Sequence, residues 1–433
     1  MDVIAKALSS ALGADRVQAD PADTAAYGLG LRTPDAVVAP ASVEELAAAM
    51  AIAHEAGAAV VPWGGGTRQT YGRPLVPAGS WIVLRTTRLD RVLDYNPDDL
   101  AISVEAGITM AALRDTLAQH RQMLPVDVPL PDRATLGGTL ALDSDGPRRA
   151  GYGTNRDLLV GVRVVEATGR SSKAGGIVVK NVSGFDLMKL YIGSAGTLAI
   201  IASANFKLLP MARASATLAC AFPSLDAAFA CIDALHASQL VPTACELSNC
   251  DWMPEGDLRL AVLVEGLPAA VERHRADIGR MAIAAGALES RALEPFESQA
   301  VWARIGDFPR AGDGDLLLRV ACLPSQLAAG IGAAGALAAR FGLRLRYTAR
   351  ALNGVVYARV DGREPAAWLR ALRDALPAAN LALLDPAGIS GGMSESVTPG
   401  RPPEGLALMR RIKAEFDPKG LLNPGRFHVD ATP

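Results

Sequence analysis

Glycine and threonine are concentrated in a short stretch of the first half of the chain, directly after a predicted strand. The stretch contains Gly64, Gly65, Gly66 and Thr67. Because glycine has no Cβ atom, backbone N–H groups can turn inward there and approach a phosphate closely, and the threonine hydroxyl adds a further donor. The pattern predicts a pyrophosphate site, although a tight turn that only needs positive φ angles would use the same residues. No Gly-Lys-Ser/Thr follows, so this is not a Walker A loop.

A second glycine-rich stretch, PDRATLGGT, covers residues 131–139, and it is followed by Gly146, Arg148, Tyr152 and Gly153. It supplies more backbone that can approach a ligand closely, together with hydroxyl groups and an arginine that can donate two hydrogen bonds to phosphate oxygens. An exposed loop rich in turn-forming residues is the alternative interpretation. Two such stretches in one segment favour a ligand that carries phosphate.

Gly330, Gly332 and Gly335 fit the Gly-x-Gly-x-x-Gly fingerprint of dinucleotide-binding folds. They lie inside an alanine-rich run, residues 325–341, which predicts a helix and not the turn between a strand and a helix. No acidic residue follows at a distance of about twenty positions to bind a ribose hydroxyl. We therefore interpret these glycines as positions of close helix packing.

The composition excludes some classes of function. Lysine and arginine (43) nearly balance aspartate and glutamate (45), and the formal charge of -2 provides no basic field to hold nucleic acid or anionic lipid. The cysteines have no CxxC spacing, which favours buried reduced thiols over ligands of a metal ion or a cluster. The N-terminal segment predicts a short amphipathic helix without a continuous apolar core, so we expect a cytoplasmic protein without a membrane anchor.

The segment before the first glycine-rich stretch has the order strand, helix, strand. Residues 36–38 and 58–62 are short apolar strands, and residues 43–56 form a helix between them. Ser42 is followed after three positions by a glutamate, which is the spacing of a capping box, and Gly57 is placed to end the helix in a left-handed turn. The pattern predicts a strand–helix–strand unit that leads into the glycines.

Further strands and helices are predicted on both sides of residue 210. Strands at 100–105, 161–166 and 198–208 and a helix at 109–120 complete the first part. Beyond residue 210 the order strand, helix recurs, with strands beginning at 217, 258 and 316. This recurrence predicts a second, α+β domain whose sheet is backed by helices.

Five motifs, in this order, resemble the FAD domain of the p-cresol methylhydroxylase/vanillyl-alcohol oxidase family: VVPWGGGTRQTYG, VEAGITMAALRDTL, PDRATLGGTLA, RRAGYGTNRDLLVGVRVVEATGR and GSAGTLAIIASANFKLLP. They cover about residues 35–210. The sequence FDPKGLLNPGRF near the C-terminus matches the usual ending of the family. Residues 175–186, GGIVVKNVSGFD, are closer still to the E subunit of bacterial glycolate oxidase, an accessory flavin-binding subunit.

The resemblance implies an α+β fold in which a PCMH-type FAD-binding domain of two α/β subdomains is followed by an α+β cap domain with an antiparallel sheet. We expect the FAD-binding domain at residues 1–211 and the cap and interaction domain at residues 212–385. A C-terminal segment, residues 386–433, would return to complete the FAD domain. We expect FAD to be bound without a covalent link, because neither glycine-rich stretch contains histidine or cysteine.

Individual residues can be assigned from the matching motifs. The resemblance implies that the FAD pyrophosphate is held by the first stretch, Gly64, Gly65, Gly66 and Thr67. It implies that the rest of the cofactor lies against residues of the later motifs, namely Thr135, Gly137, Gly138, Arg148, Tyr152, Gly153, Gly196, Thr197 and Ile200.

The C-terminal part departs from relatives that oxidise 2-hydroxy acids, which usually carry a His-Gly-Ile-Gly motif whose histidine is a base or a metal ligand. This chain has GISGGM at residues 388–393, and the next histidine is His428. We therefore assign no catalytic base and no metal ligand. The candidates for a cation that binds a substrate carboxylate are Lys180, Arg148 and Arg426, and a surface position on a strand is the alternative for Lys180.

Three functions remain open. The first is an FAD-binding subunit of a glycolate oxidase complex, which would work beside a second flavoprotein and an iron–sulfur subunit and could lie at the inner membrane through them. The second is a self-sufficient dehydrogenase of another 2-hydroxy acid such as lactate, against which the missing histidine counts. The third is a non-catalytic assembly subunit, against which the intact glycine stretches count.

Overall fold

The computed structural model describes residues 3–29, 32–73, 75, 77, 79–177, 185–251, 258–312, 314–387 and 404–426. These residues form sheets of four and five strands in the first half, an eight-stranded sheet in the second, and a two-stranded ribbon of β7 (Gln122–Met123) and β11 (Leu209–Pro210). The α+β class expected from the sequence is confirmed. No helix in this part of the chain is both long and apolar enough to cross a membrane.

The first sheet has four strands in the order β1-β2-β4-β3: β1 (Val17–Gln18), β2 (Ala36–Val38), β3 (Ala59–Trp63) and β4 (Trp81–Arg85). β4 pairs in parallel with β2 and with β3, and helix α3 (Val43–Ala56) connects β2 to β3. The Ser42 hydroxyl accepts a hydrogen bond from the Glu45 N–H at the start of α3, and Gly57 ends the helix at a φ of 66°. The predicted strand–helix–strand unit is confirmed.

The second sheet is antiparallel and has five strands in the order β5-β6-β10-β8-β9: β5 (Val92–Asn96), β6 (Ala101–Glu105), β8 (Leu159–Glu166), β9 (Ser171–Gly175) and β10 (Ala199–Lys207). Its buried residues form one core with helix α4, and residues of β8 and β10 also enter the core of the first sheet. The helices of this half are α1 (Val3–Leu12), α2 (Pro21–Thr24), α4 (Met110–Ala118), α5 (Leu136–Ala141), α6 (Arg149–Tyr152), α7 (Asn155–Leu158) and α8 (Met188–Tyr191).

The third sheet has eight antiparallel strands: β12 (Ala214–Phe222), β13 (Ala244–Ser248), β14 (Leu258–Gly266), β15 (Glu289–Ala292), β16 (Leu316–Ala321), β17 (Arg344–Arg350), β18 (Val355–Asp361) and β19 (Asn380–Asp385). Its helices are α9 (Leu225–Ala237), α10 (Pro268–Ala284), α11 (Pro295–Asp307), α12 (Leu327–Arg340) and α13 (Pro365–Ala375). The strand order β15-β12-β14-β13-β17-β18-β16-β19 is that of two βαββαβ units joined edge to edge by β13 and β17.

One face of the eight-stranded sheet is covered by helices, and the other, here called the open face, meets the first half of the chain. Leu316 and Leu318 of β16 enter the core with the helices. Leu317, between them in sequence, points the other way and packs with Tyr357 and Tyr71. Because side chains alternate along a strand, Arg319 shares the open face with Leu317.

The C-terminal segment of the described residues returns to the first sheet. After helix α14 (Leu406–Phe416), Leu422 forms a parallel bridge with Val60 of β3. The buried Lys413 ammonium donates to the carbonyl oxygens of Thr197 (2.8 Å) and Leu422 (3.0 Å) and to the Asp417 carboxylate (2.6 Å). This segment therefore lies against the strand that leads into the glycine-rich loop.

Candidate functional site

The two glycine-rich stretches lie against each other, because the loop after β3 crosses the turn that leads into α5. A Cβ atom added at Gly64 would lie 2.1 Å from Thr135 Oγ1, and one added at Gly65 would lie 1.7 Å from the carbonyl oxygen of Arg133. Gly66 has a φ of 68°. The first two positions therefore require glycine for space, and the third requires it for its backbone conformation.

These stretches line a cleft of about 920 Å³, a volume that includes the open mouth. The walls are completed by the turn before β10 and by Asn423 and Arg426 of the C-terminal segment. Nine residues assigned from the sequence line it: Gly64, Gly65, Gly66, Thr67, Thr135, Gly137, Gly138, Gly196 and Ile200.

The polar groups of the cleft fit a ligand with phosphate and hydroxyl groups. The Thr135 hydroxyl and the Asn423 side-chain oxygen are buried and have no hydrogen-bond partner among the described residues. The N–H groups of Gly64, Gly65 and Gly66 donate no backbone hydrogen bond to another loop or turn in the described part of the chain. Buried donors and acceptors are normally satisfied, so these groups indicate a bound partner such as the pyrophosphate and ribose of FAD.

Arg148 does not line this cleft, contrary to our expectation. Its guanidinium forms ion pairs with Asp127 (2.9 Å) and Glu265 (3.2 Å), and both carboxylates raise its pKa. Arg148 lines a second cavity, of about 1830 Å³, between the two halves of the chain. Because two carboxylates already neutralise this arginine, it links the domains and is not available to a phosphate or a substrate carboxylate.

Three further assigned residues also have structural roles. The Tyr152 hydroxyl donates to Glu265 (3.2 Å), and burial together with that carboxylate raises its pKa to about 12. Gly153 provides a turn with a φ of 82° beside Asp157. Thr197 is buried, and its hydroxyl donates to the carbonyl of Ser194 (2.7 Å). These contacts place the three residues behind the lining of the cleft.

The remaining candidates divide between the cleft and parts outside the described residues. Arg426 lines the cleft, and its guanidinium donates to the carbonyl oxygens of Gln69 (2.9 Å) and Tyr71 (2.7 Å). Burial lowers its pKa to about 10. Lys180, His428 and the GISGGM stretch at residues 388–393 lie outside the described residues.

The sequence motifs did not lead us to select Arg68, Tyr71 or Arg319, which the structure places in or near the cleft. Arg68 and Tyr71, which directly follow the glycine-rich loop, line the cleft. Tyr71 packs against the open face of the eight-stranded sheet, where Arg319 and Tyr357 are cross-strand partners. Arg68 and Tyr71 lie within the motif that resembles the FAD domain and could have been selected there, whereas no sequence signal distinguishes Arg319 from other surface arginines.

A buried network joins the loop after α5 to the open face. Asp145 forms ion pairs with Arg350 and Arg149, and these arginines hold its pKa low although burial acts to raise it. Glu246 lies 3.6 Å from Arg350 and accepts a hydrogen bond from the Thr348 hydroxyl (2.8 Å). Burial raises the pKa of Glu246 to about 7. Among the described residues no cluster of histidine, cysteine and carboxylate side chains could hold a metal ion.

The glycine positions in α12 do not form a second nucleotide site. Gly330, Gly332 and Gly335 lie inside the helix, as expected. Cβ atoms added at Gly330 and Gly332 would come no closer than 3.9 and 4.0 Å to a neighbouring side chain, and one at Gly335 would meet nothing within 4 Å. The helix packing at these positions is thus looser than we expected, because each has room for a methyl group.

Two family models match the chain. One, described as an FAD binding domain, matches residues 34–184, and the other, the C-terminal domain of FAD linked oxidases, matches residues 393–427. A D-lactate dehydrogenase of Archaeoglobus fulgidus is 30% identical over 411 residues, which cover 90% of each chain. The glycolate oxidase subunit GlcD of Bacillus subtilis is 26% identical and covers 92% of this chain and 90% of its own.

Two other similarities are relevant. The glycolate oxidase subunit GlcE of Escherichia coli is 35% identical over 156 residues, 36% of this chain and 43% of its own. The crystal structure of p-cresol methylhydroxylase superposes with a TM-score of 0.77 at 16% identity and covers 99% of this chain and 96% of that one. This match concerns the fold and confirms the architecture expected from the sequence.

Proposed function

This chain belongs to the FAD-linked oxidases and is an FAD-dependent oxidoreductase, and from this premise we propose that it oxidises a small 2-hydroxy acid in the cleft. The proposal is carried by one observation. The glycine-lined cleft has unpartnered buried polar groups, and Tyr71 in its lining packs against the open sheet face that carries Arg319. A cofactor site is thus continuous with a site suited to an anion.

We assign the pyrophosphate of FAD to the N–H groups of the loop that contains Gly64, Gly65 and Gly66. The Thr135 hydroxyl and the Asn423 side-chain oxygen would bind the remaining polar groups. A non-covalent link is expected. Acid precipitation of the purified protein should therefore release all the flavin into the supernatant, and flavin that stays with the pellet would contradict this assignment.

FAD, when bound, supplies the acceptor for the hydride that leaves the α-carbon of a hydroxy acid. The residues of this chain have other tasks. A cation must hold the substrate carboxylate, and apolar side chains must exclude water from the reacting carbon. Tyr71 lines the cleft and is suited to this task, and the buried side chains of Leu317 and Tyr357 pack behind it.

We further propose that the chain works as an FAD-binding subunit of a glycolate oxidase complex, together with a second flavoprotein and an iron–sulfur subunit. The likeness to GlcE and GlcD supports this role. The chain itself has no CxxC spacing for a cluster, so electrons from a reduced flavin need an acceptor elsewhere. The cap domain, residues 212–385, is our proposed docking surface.

A self-sufficient D-lactate-type dehydrogenase is the second candidate. It is favoured by the D-lactate dehydrogenase relative, which aligns over 90% of both chains and so includes the whole cap domain. The two candidates differ in whether the isolated chain turns over.

Purified subunits mixed in all combinations, with dye reduction as the readout, separate the candidates. For the complex, we expect slow glycolate-dependent reduction by this chain alone and fast reduction when all subunits are present. Fast reduction by this chain alone, with glycolate or D-lactate, would support the self-sufficient enzyme. A complex assembled with a Gly65→Asp chain that lacks flavin should be inactive, and full activity of that complex would instead indicate an assembly role.

A further inference from the structure

Arg68 and Arg319 carry no ion pair to a carboxylate within the described residues. Arg426 has none either, but its guanidinium is already held by the carbonyl oxygens of Gln69 and Tyr71. Arg68 lines the cleft, and its guanidinium donates to the carbonyl oxygen of Pro309 at 2.8 Å. Burial lowers the pKa of Arg68, and the neighbouring Arg350 acts in the same direction. Asp145 acts in the opposite direction but forms no ion pair with Arg68 among the described residues. A cation that is removed from water without a directly bound carboxylate favours an anionic ligand.

Arg319 approaches the same place from the cap domain. It lies on β16 opposite Tyr357 of β18 and shares the open face with Leu317. Burial raises the pKa of Tyr71, and the positive charges of Arg319 and Arg68 partly oppose that rise. The packing gives the same picture, because Tyr71 lies against Leu317 and Tyr357, the neighbours of Arg319 on the open face.

Four other arginines in this region are already bound. Arg350 and Arg149 both bind Asp145. Arg346, on the same open face, binds Asp315. Arg359 donates to the carbonyl oxygen of Phe308 at 2.9 Å. Direct ion pairs or hydrogen bonds thus account for these arginines. Within the described part of the chain Arg68 and Arg319 form no ion pair, although both lie within electrostatic range of Asp145, whose charge Arg350 and Arg149 already neutralise.

We infer that Arg68 and Arg319 together form the subsite that binds the substrate carboxylate, with one guanidinium from each half of the chain. This inference rests on the proposed oxidation of a 2-hydroxy acid and makes it specific, because it places substrate binding on this chain and not on a partner. The orientation of the Arg68 guanidinium supports this assignment. Its hydrogen bond to Pro309 turns the guanidinium towards the cap domain and away from the loop assigned to the pyrophosphate. Planar guanidinium groups bind carboxylates with two parallel hydrogen bonds.

Oxalate is the probe, because it resembles a 2-hydroxy acid but carries no hydride to transfer. Its binding to the FAD-loaded protein is measured by isothermal titration calorimetry and by the change in the flavin absorption spectrum. Arg319→Gln and Arg68→Gln should each weaken oxalate binding at least about tenfold, the usual loss for one charge-assisted contact. Arg346→Gln is the matched control and should keep the wild-type affinity.

A second variant distinguishes a charge effect from damage to the sheet. Arg319→Lys keeps the positive charge and should recover a large part of the oxalate affinity, whereas a purely structural role would not be restored in this way. In turnover, both Gln variants should raise KM for the hydroxy acid more than they lower kcat.

Two results separate the failure of this inference from failure of the proposed function. Unchanged oxalate affinity in both Gln variants, or no oxalate binding by the wild type, would overturn the subsite even if hydroxy acids reduce the flavin. Oxalate binding that depends on both arginines, in a protein whose flavin no 2-hydroxy acid reduces, would support the subsite and reject the proposed oxidation.

Discussion

The two glycine-rich stretches, residues 64–67 and 131–139, are here called the cradle. The cradle and the open face of the eight-stranded sheet differ in the size and charge of their side chains. In the cradle the ligand space exists because side chains are missing, and Gly64 and Gly65 leave less than 2.5 Å between a would-be Cβ atom and the facing stretch. The open face instead carries long charged and aromatic side chains, among them Arg319, Arg350 and Tyr357. The cradle should therefore tolerate almost no substitution, whereas the open face should respond to each change according to its charge.

Gly65→Asp tests the cradle with the largest expected effect. Its Cβ atom would collide with the carbonyl oxygen of Arg133, 1.7 Å away, and its carboxylate would repel a pyrophosphate. We expect the loss of at least about 4 kcal/mol of FAD binding free energy, roughly a thousandfold in Kd. Flavin absorption of the purified protein and FAD titration of the apoprotein measure it.

The same substitution at Gly405 is the control. Gly405 precedes α14, and nothing lies within 4 Å of an added Cβ atom. Aspartate is a favourable residue at this position, so Gly405→Asp should bind FAD as the wild type does. Equal flavin content in both variants would contradict the assignment of the first glycine-rich stretch.

Lys413→Met tests how the C-terminal segment supports the cradle. The lysine is buried, and its ammonium joins the Asp417 carboxylate to the carbonyl groups of Thr197 and Leu422. Removing one partner of a buried ion pair leaves the other uncompensated, and we expect a loss of about 3–4 kcal/mol in the free energy of unfolding. Lys419→Met, in which an exposed lysine loses a bond to the carbonyl of His54, should change it little. Urea denaturation of both variants measures the difference, and equal midpoints would show that the buried pair does not hold the segment.

The same contrast explains how much could be read from the sequence. The cradle lies in continuous motifs, so the family resemblance that those motifs carry predicted nine of the residues that line the cleft, together with the α+β fold. Arg148 was assigned wrongly to the cofactor, because its neutralising partner Glu265 lies 117 positions away. Arg319 was missed because its meaning depends on strand register and on Tyr71 of the other domain. Pairings of this kind depend on tertiary structure, which spacing along the chain does not encode.

Glu246→Gln tests the buried charges of the open face through the pH dependence of the free energy of unfolding. Burial raises the pKa of Glu246 to about 7, while Arg350 and the Thr348 hydroxyl oppose the rise and Asp145 and Asp127 add to it. The folded protein therefore holds a proton that the unfolded chain releases near pH 4.5. As the pH rises from there to about 7, this contribution to the free energy of unfolding is lost, by at most about 3 kcal/mol.

In the glutamine variant the free energy of unfolding should not fall in this way, because the amide does not titrate. The free energy of unfolding of Glu246→Gln, minus that of the wild type, should increase as the pH rises from about 5 to 7 and stay constant above that range. Thermal unfolding at closely spaced pH values measures the difference. A parallel pH dependence of the two proteins would show that Glu246 does not change its protonation in this range.

Gly335→Ala has the smallest expected effect. It tests whether a glycine outside the cradle is required for stability or for flavin binding. The residue lies within α12, has no left-handed φ, and would place its Cβ atom in open space. Alanine loses less backbone entropy than glycine when a helix forms, so we expect a gain of about 0.5–1 kcal/mol in the free energy of unfolding. Gly332→Ala should behave alike, since its Cβ atom would only touch Leu225 at 4.0 Å. Both substitutions destroy the Gly-x-Gly-x-x-Gly pattern, and both should leave flavin content unchanged. Loss of flavin in either one would mean that α12 contributes to cofactor binding, and the division between a glycine cradle and a cap built from side chains would then be wrong.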